Sequence, residues 1–249
     1  MTITVIPVKV KGDVKPGKKS LAAIISKALR DSGVNLQDGD ILVVAQKIVS
    51  KAEGRVVDLA TVKPSAKALR LGKRLQKDAR LVELILQESK EIVIVKNGII
   101  ITETRHGFIC ANSGVDQSNL EDGSSAVLLP VDPDRSAKRL RDFFHVAVVI
   151  TDTFGRPFRE GQANVAVGVA GIRPIKSYIG KKDMFGRRLH VTEIAVADEI
   201  ASAAELAMGK SGGIPVAVVR GYAYEKDAKA SSKPLVRKKK TDLFRRGKG

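Results

Sequence analysis

The chain has 249 residues, of which 43% are hydrophobic. This is enough for a buried core and excludes a largely disordered protein. Its one cysteine, Cys110, excludes an internal disulfide and favours a reducing compartment. The apolar runs are too short to cross a membrane, and the N-terminus is too charged for a signal peptide. We therefore expect a cytoplasmic protein with no membrane partner.

The net charge of +17 indicates anionic partners, but this charge is unevenly spread. Residues 226–249 carry ten Lys and Arg against two Asp. We predict one domain over residues 1–225, which could comprise two closely packed subdomains, and a basic C-terminal tail over residues 226–249. This tail is either a solvated end or a nucleic-acid-binding segment. The absence of interleaved aromatic residues and of a binding motif argues against nucleic acid.

The N-terminal half is predicted to mix strands and helices without a regular alternation. A strand over residues 2–10 precedes an amphipathic helix that Ser20 caps. The apolar residues from Ile41 to Val49 predict one long strand. Further elements are two helical pieces within residues 64–90 and short strands at 91–96, 99–104 and 107–111, and residues 125–129 form another apolar run.

The C-terminal half is predicted to begin with a helix that Asp134 caps and that ends at Phe144. A fully apolar strand follows at 146–150. The remaining elements are a mixed region over 163–179, an Ala-rich helix over 194–208 and a strand over 214–219. Strands in hairpin-like runs with irregularly placed helices predict an α+β fold, with mixed or antiparallel sheets and flanking helices, rather than a doubly wound α/β fold.

A sequence near the N-terminus matches the first part of a phosphate-binding P-loop. Gly12 to Lys18 follow the pattern G-x-x-x-x-G-K. However, Lys19 stands where Ser or Thr would hold magnesium, and Pro16 lies within the loop. We therefore predict a basic N-terminal loop rather than a Walker site.

Two lysines follow the strand that begins at Ile41, in the sequence VAQKIVSKAEGR. If the strand continues, Lys47 and Lys51 lie on the same face because their separation is even. Two ammonium groups on one face repel unless an anion lies between them, and phosphate suits that position. The alternative is a solvated strand end.

Two acidic residues lie in loops where they could bind a cation. Asp116 and Asn119 follow a strand-like segment and offer the hard oxygen atoms that Mg²⁺ and Mn²⁺ prefer, although a polar turn without a ligand would look similar. Asp152 ends the apolar strand, and Arg156 and Arg159 follow it on a Gly-punctuated loop. These arginines could bind phosphate or carboxylate, or one could pair with Asp152 to fix the loop.

A Gly-rich loop after the Ala-rich helix, MGKSGGIP, could approach a base or a phosphate closely, or could simply connect a helix to a strand. Each of these signals is weak by itself. Two acids, several cations and a Gly-rich loop, each beside a strand, together indicate metal-dependent phosphoryl transfer from a nucleotide without a P-loop.

Six segments occurring in order carry a resemblance to a known family. They are QKIVSKAEGR, ANSGVDQSN, TDTFGRPFREG, KKDMFGR, VADEIASAAELAMG and GIPVAVVRG. From residue 1 to about 223, the chain resembles the GTP-dependent γ-glutamyl ligases that add L-glutamate to the precursor of the deazaflavin coenzyme F420. The resemblance implies an acyl phosphate formed from GTP on the precursor's phospholactate carboxylate, and then an amide with glutamate. It allows further γ-linked glutamates.

The resemblance also implies cofactors and an assembly: Mg²⁺ or Mn²⁺, K⁺, a family-specific α+β fold and an intertwined homodimer. Its metal-binding positions match Asp116 and Asp152, with Thr153 beside a second metal. Arg156 and Arg159 are our additional catalytic candidates, for holding anionic substrate. The nucleotide-contact positions match Lys11, Gly12, Asp13, Val14, Gln46, Lys47, Lys51, Asn119, Met208, Gly209, Lys210, Ser211, Gly212, Gly213 and Ile214.

One position departs from the family pattern. Some members of the family carry an acidic residue after Met-Gly in the last loop, at the second metal, whereas this chain has Lys210 in a loop one residue shorter. A protonated lysine cannot ligate a cation. Either a backbone carbonyl or water replaces the missing ligand, or the second metal site is altered.

Overall fold

The computed structural model describes residues 2–17, 20–118 and 124–242. The strands are β1 (Thr4–Val8), β2 (Ile41–Ala45), β3 (Val56–Asp58), β4 (Ser89–Lys96), β5 (Ile99–Thr104), β6 (Ile109–Ala111), β7 (Ser125–Val127), β8 (Ala147–Arg156), β9 (Arg159–Ile172), β10 (Lys176–Ser177), β11 (Glu193–Ile194), β12 (Val216–Arg220) and β13 (Lys226–Asp227). The α-helices are α1 (Leu21–Asp31), α2 (Gln46–Ala52), α3 (Ala66–Leu75), α4 (Ala79–Gln87), α5 (Pro133–Phe144) and α6 (Val196–Met208).

A six-stranded mixed sheet forms the centre of the molecule, in the order β1-β12-β2-β8-β9-β13. Strands β2 and β8 are parallel, and the other neighbouring pairs are antiparallel. Strand β2 is apolar throughout because both of its faces are covered. The predicted α+β class, with mixed sheets and flanking helices, is confirmed.

Helices cover both faces of this sheet. Apolar side chains of α1, α2 and α5 pack with Leu42 and Val44 on one face, and those of α6 pack with Ile41 and Val43 on the other. Helix α5 lies so close to β9 that there is no room for a side chain at Gly168. A Cβ atom there would fall 2.5 Å from the Pro133 carbonyl oxygen. Helix packing on both faces therefore fixes the positions of the central strands and of their ends.

The segment between β2 and α5 builds a second core. Helices α3 and α4, the pair β3–β7 and the three-stranded sheet β4–β5–β6 enclose side chains that include Leu59, Ile85, Ile100 and Leu128. The predicted two-piece helical region within 64–90 is confirmed by α3 and α4. This layer carries the loop that contains Asp116.

Three local predictions are wrong. The loop expected after Ile150 is instead a paired hairpin, because β8 continues to Arg156 and pairs with β9 from Arg159 onward. Strand β2 ends at Ala45, and helix α2 begins at Gln46, so the predicted strand from Ile41 to Val49 is half strand and half helix. The cap of α5 is Asp132, whose carboxylate accepts a hydrogen bond from the Arg135 N–H, whereas Asp134 lies inside the first turn. Ser20 caps α1 as predicted, through a hydrogen bond from the Ala23 N–H.

Residues 226–242, the described part of the basic segment, pack against the body. Ser232 is buried, and Leu235 and Val236 join the apolar layers on the two faces of the sheet. Lys226 pairs with Asp38 and Lys239 with Glu91. The boundary at residue 225 stays a prediction. Within the described ranges, no helix is both long and apolar enough to span a membrane.

Candidate active site

Parallel pairing brings two of the predicted site segments together at one edge of the sheet. Ala45, the last residue of β2, is in register with Thr151 of β8. Because the two strands run in the same direction, Gln46 at the start of α2 and Asp152 within β8 both follow this aligned pair at the same edge of the sheet. Helix α2 thus begins beside the predicted metal-binding carboxylate, although the two segments lie more than 100 residues apart in the chain.

Antiparallel pairing brings two loops to the same edge. The Ala45 N–H donates to the Pro215 carbonyl at 2.8 Å, at the point where the Gly-rich loop enters β12. The Val10 N–H donates to the Gly213 carbonyl at 3.3 Å, so the loop after β1 lies next to the Gly-rich loop. The structure therefore gathers the predicted segments 11–14, 46–51 and 208–214 around Asp152.

Helix α2 directs its lysines to two different carboxylates. Lys47 and Lys51 share one face, as predicted, but they do so because residues four apart are neighbours on a helix and not because of strand alternation. Lys51 is buried, and its ammonium lies 2.7 Å from Asp13 Oδ1, which ties the N-terminal loop to α2. Gln46, also buried, accepts a hydrogen bond from Ser50 Oγ at 2.9 Å.

Asp116 is held in place by its backbone and by Lys47. Its N–H and carbonyl pair with Val127, and its Oδ2 lies 2.6 Å from Lys47 Nζ. The Ser118 N–H and hydroxyl also donate to this carboxylate. Burial raises the pKa of Asp116, but hydrogen bonds from Lys47 and Ser118 and the lysine charge outweigh burial, so the net pKa is lowered. Asp116 is therefore ionised at neutral pH.

Asp152 lies in a different electrostatic environment. Its net pKa is raised to about 6, mainly by burial; the Thr153 N–H opposes this increase, and the charge of Asp116 contributes to it. The Lys47 and Lys210 ammonium groups lower it by smaller amounts. A carboxylate that is costly to ionise and lies near a second carboxylate is typical of a functional site. A bound cation would offset both the cost of burying the charge and the repulsion between the two carboxylates.

A third group of side chains adjoins Asp152. Lys210 Nζ lies 2.6 Å from Thr153 Oγ1 and 2.9 Å from Asn164 Oδ1. Thr153 Oγ1 also donates to Asn164 Oδ1 at 2.7 Å. Asn164, a buried polar residue on β9, was not among the predicted site residues. Its position in the apolar run of β9 is the sequence signal that would have identified it, because a buried amide requires partners.

The two arginines lie on the hairpin that β8 and β9 extend beyond Asp152. Arg156 donates to the Glu160 carbonyl at 2.6 Å and to the Gly161 carbonyl at 3.4 Å, so its described contacts stabilise the hairpin itself. Arg159 is exposed at the start of β9. At about 3.3 Å per strand residue, Arg156 lies roughly 13 Å along the strand from Asp152. Asn119, the other predicted contact, lies outside the described residues.

The residues at this edge fit one divalent cation. Among the described residues, no group of three or more His, Cys, Asp and Glu side chains is arranged around a common metal position. Two carboxylates are nevertheless sufficient for Mg²⁺, which is commonly bound by one or two carboxylates together with substrate phosphates and water. Asp116 and Asp152 meet this requirement, and the lysines around them suit the phosphates.

Comparison with known proteins gives the family. The family model for F420-0:gamma-glutamyl ligase matches residues 10–221. The chain belongs to this family. A coenzyme F420:L-glutamate ligase from Methanothermobacter thermautotrophicus is 48% identical over 233 residues, covering 90% of this chain and 92% of the relative. The corresponding figures for the ligase of the same name from Methanocaldococcus jannaschii are 46%, 217 residues, 84% and 86%.

A third relative covers nearly the whole chain. The coenzyme F420:L-glutamate ligase from Methanopyrus kandleri is 41% identical over an alignment that covers 98% of each chain. The resemblance inferred from the six segments is thereby confirmed. Membership supports a ligase that joins glutamate in the biosynthesis of coenzyme F420.

Proposed function

We propose that this γ-glutamyl ligase uses GTP to join L-glutamate to the phospholactate carboxylate of the deazaflavin F420 precursor, through an acyl phosphate. The observation that carries the proposal is the meeting of five separate chain segments at one edge of the sheet: residues 11–14, 46–51 and 208–214 and the segments that carry Asp116 and Asp152. These segments supply carboxylates for a cation and lysines for phosphates. Family membership supplies the glutamate and the coenzyme.

The reaction has two steps. A carboxylate oxygen of the precursor attacks the γ-phosphorus of GTP, the bond from that phosphorus to the bridging oxygen breaks, and GDP leaves with the electron pair. The deprotonated amino group of glutamate then attacks the acyl carbon. The bond from that carbon to the phosphate oxygen breaks, inorganic phosphate leaves with the electron pair, the nitrogen releases a proton to solvent, and an amide forms. Further glutamates can be added through γ-linkages by the same two steps.

The chain's own residues have distinct roles in this scheme. Asp116 and Asp152 would hold Mg²⁺ or Mn²⁺, which neutralises charge on the phosphates when it is bound. Lys47 and Lys51 lie on the face of α2 that is turned toward the carboxylates, where they bind nucleotide phosphates after exchanging their present partners. Loops 11–14 and 208–214 enclose the nucleotide. Preorganised cations of this kind are among the largest contributions to phosphoryl transfer.

The distant arginines and the assembly belong to the same proposal. Arg156 and Arg159 hold anionic substrate at the hairpin, and K⁺ supports turnover. The active protein is a homodimer located in the cytoplasm. Support for the dimer comes from the strongly exposed apolar side chains Met184, Phe185 and Val191 in the segment between β10 and β11, which a second copy would cover. Light scattering coupled to gel filtration measures this assembly directly.

A coupled assay tests the function. The purified chain is incubated with GTP, Mg²⁺ or Mn²⁺, K⁺, the F420 precursor and L-glutamate, and GDP, phosphate and the deazaflavin product are quantified by mass. We expect GDP and phosphate in equal amounts, and only when both acceptor substrates are present. Absence of product under these conditions would refute the proposal. Product from a different acid or amine in a parallel panel would keep the ligase chemistry and replace the substrate.

Replacement of single components tests the finer assignments. GTP should be more effective than ATP, and K⁺ more effective than Na⁺ at equal ionic strength. Equal rates within either pair would remove that specificity from the proposal while leaving the ligase reaction intact.

A further inference from the structure

The ammonium of Lys210 lies at a position suited to a cation. It donates to two neutral oxygen atoms, Thr153 Oγ1 at 2.6 Å and Asn164 Oδ1 at 2.9 Å. Both oxygens belong to side chains on the paired strands β8 and β9, which are in register at these two residues. Hydroxyl and amide oxygens on rigid neighbouring strands are also suitable ligands for Mg²⁺ or Mn²⁺.

The backbone around Lys210 is built to present its side chain to these strands. Gly209 ends helix α6 with φ 56° and ψ −167°, a conformation that is essentially restricted to glycine. Asn164 is only 5% exposed, and its carbonyl accepts a hydrogen bond from Ser202 Oγ on α6. The acceptor is therefore fixed by both the sheet and the helix from which the Lys210 loop departs.

A competing interpretation is that Lys210 only forms a surface ion pair. Its side chain is 58% exposed, and Glu205 Oε1 lies 3.7 Å from Nζ. An exposed pair at this distance contributes little. The two contacts to Thr153 and Asn164 are shorter, and they direct the ammonium toward the edge of the sheet that carries Asp152 rather than toward solvent. The Lys210 charge also acts on Asp152.

These contacts disagree with a second divalent cation beside Thr153, which the family resemblance implies. A protonated ammonium and a dication cannot share the same two oxygen atoms. We propose that Lys210 takes the place of the second divalent cation, so that the nucleotide-bound chain holds one dication, at Asp116 and Asp152, and one fixed ammonium at Thr153 and Asn164. The ammonium offsets charge on the transferring phosphoryl group. This inference depends on the proposed use of GTP.

The test counts metal ions rather than turnover alone. Mn²⁺ binding is measured by electron paramagnetic resonance and equilibrium dialysis, with the chain saturated by a GTP analogue that has an imido bridge between its β and γ phosphorus atoms. We expect one Mn²⁺ per chain in the wild type and two in Lys210→Glu, because the glutamate supplies the missing carboxylate. Lys138→Met, a change to an exposed lysine that pairs with Asp142 on α5, is the matched control and should give one.

Kinetics provide the second measurement. Lys210→Met should lower kcat by about 100-fold, with a smaller effect on the KM for GTP, because the lost charge acts mainly on the transition state. Two Mn²⁺ in the wild type, one in Lys210→Glu, or a wild-type kcat in Lys210→Met would each overturn the inference. If the wild type does not bind the GTP analogue, the proposed function fails first and this inference fails with it.

Discussion

Two partly buried aspartates with raised pKa values have different surroundings. Burial raises the pKa of Asp134 in α5, but its carboxylate accepts hydrogen bonds from the Val169 N–H and from the N–H and hydroxyl of Ser232. Burial also raises the pKa of Asp152, but this residue, within strand β8, is near a second carboxylate and two ammonium groups. One carboxylate connects parts of the fold, and the other faces groups that suit a cation and phosphates.

The comparison shows why a perturbed pKa does not identify a functional site by itself. Asp134 joins α5, β9 and the segment after β13, so its protonation behaviour reflects packing. Ionisation of Asp152 costs free energy that its described protein partners do not fully offset, and a bound cation would offset it. Four predictions separate the two cases, beginning with the largest expected effect.

Asp152→Asn should lower turnover by about 1,000-fold or more, because the neutral amide cannot supply the charge that holds the cation at the γ-phosphate. The measurement is the rate of amide formation at saturating GTP and metal. Circular dichroism should show a folded protein. Turnover within a few-fold of the wild type would exclude Asp152 as a metal ligand.

Asp116→Asn should lower turnover by about 100-fold, less than the change at Asp152, because Lys47 already neutralises part of the Asp116 charge. The apparent Mn²⁺ affinity should weaken in parallel. Asp142→Asn, which removes an exposed carboxylate that pairs with Lys138 on α5, is the control. An unchanged metal affinity in Asp116→Asn would place the cation elsewhere.

Asp134→Asn should destabilise the fold by about 1–3 kcal/mol, because an amide nitrogen or a weaker acceptor would then face two backbone N–H groups and a hydroxyl. Urea unfolding measures this change. Turnover per folded molecule should stay near the wild-type value, because Asp134 stabilises the packing of the chain. A fall in kcat without loss of stability would reverse the roles of the two aspartates.

Asp152→Asn should raise the Tm of the metal-free protein at pH 7. The ordinary aspartate pKa is 3.8, and that of Asp152 in the fold is about 6. Between these values the folded chain keeps a proton that the unfolded chain has lost, so this group's contribution to the free energy of unfolding falls as pH rises. The Tm gain, about 2–4 °C per kcal/mol recovered, should disappear below pH 4. An equal gain at pH 3.5 and pH 7 would exclude this electrostatic cause.

The sequence predicted the apolar and capped elements well. The apolar first half of strand β8, helix α6 and the Ser20 cap of α1 follow from apolar runs, helical periodicity and capping chemistry. The end of β2 was wrong because Ile48 and Val49 are buried in either conformation, so their hydrophobicity does not distinguish strand from helix. The cap of α5 had a readable signal, since Pro133 at the first helical position indicates Asp132 before it.

The site was predictable as separate parts but not as an arrangement. The lysines of α2 and the loops at 11–14 and 208–214 could be selected from their residue types and the family resemblance. Their meeting depends on the parallel register of β2 with β8, which no local pattern encodes. The contact of Lys210 with Asn164 joins residues 46 positions apart through a loop and a strand, and it becomes visible only in three dimensions.

Truncation of the basic segment would not isolate the role of its charge. Removing the chain from residue 226 would take away Ser232, which is buried against Asp134, together with the basic residues. Such a truncation would confuse a loss of packing with a loss of charge. Neutralising lysines one at a time within residues 237–240 is the cleaner way to ask what the basic segment does.

Mn²⁺ binding in the presence of the imido analogue of GTP tests the central claim most directly, measured side by side for the wild type, Asp152→Asn and Asp134→Asn. The arrangement of the site predicts that Asp152→Asn weakens Mn²⁺ binding by at least about 100-fold, while folded Asp134→Asn binds Mn²⁺ like the wild type. Wild-type Mn²⁺ affinity in Asp152→Asn would contradict the assignment of this sheet edge as the metal–nucleotide site.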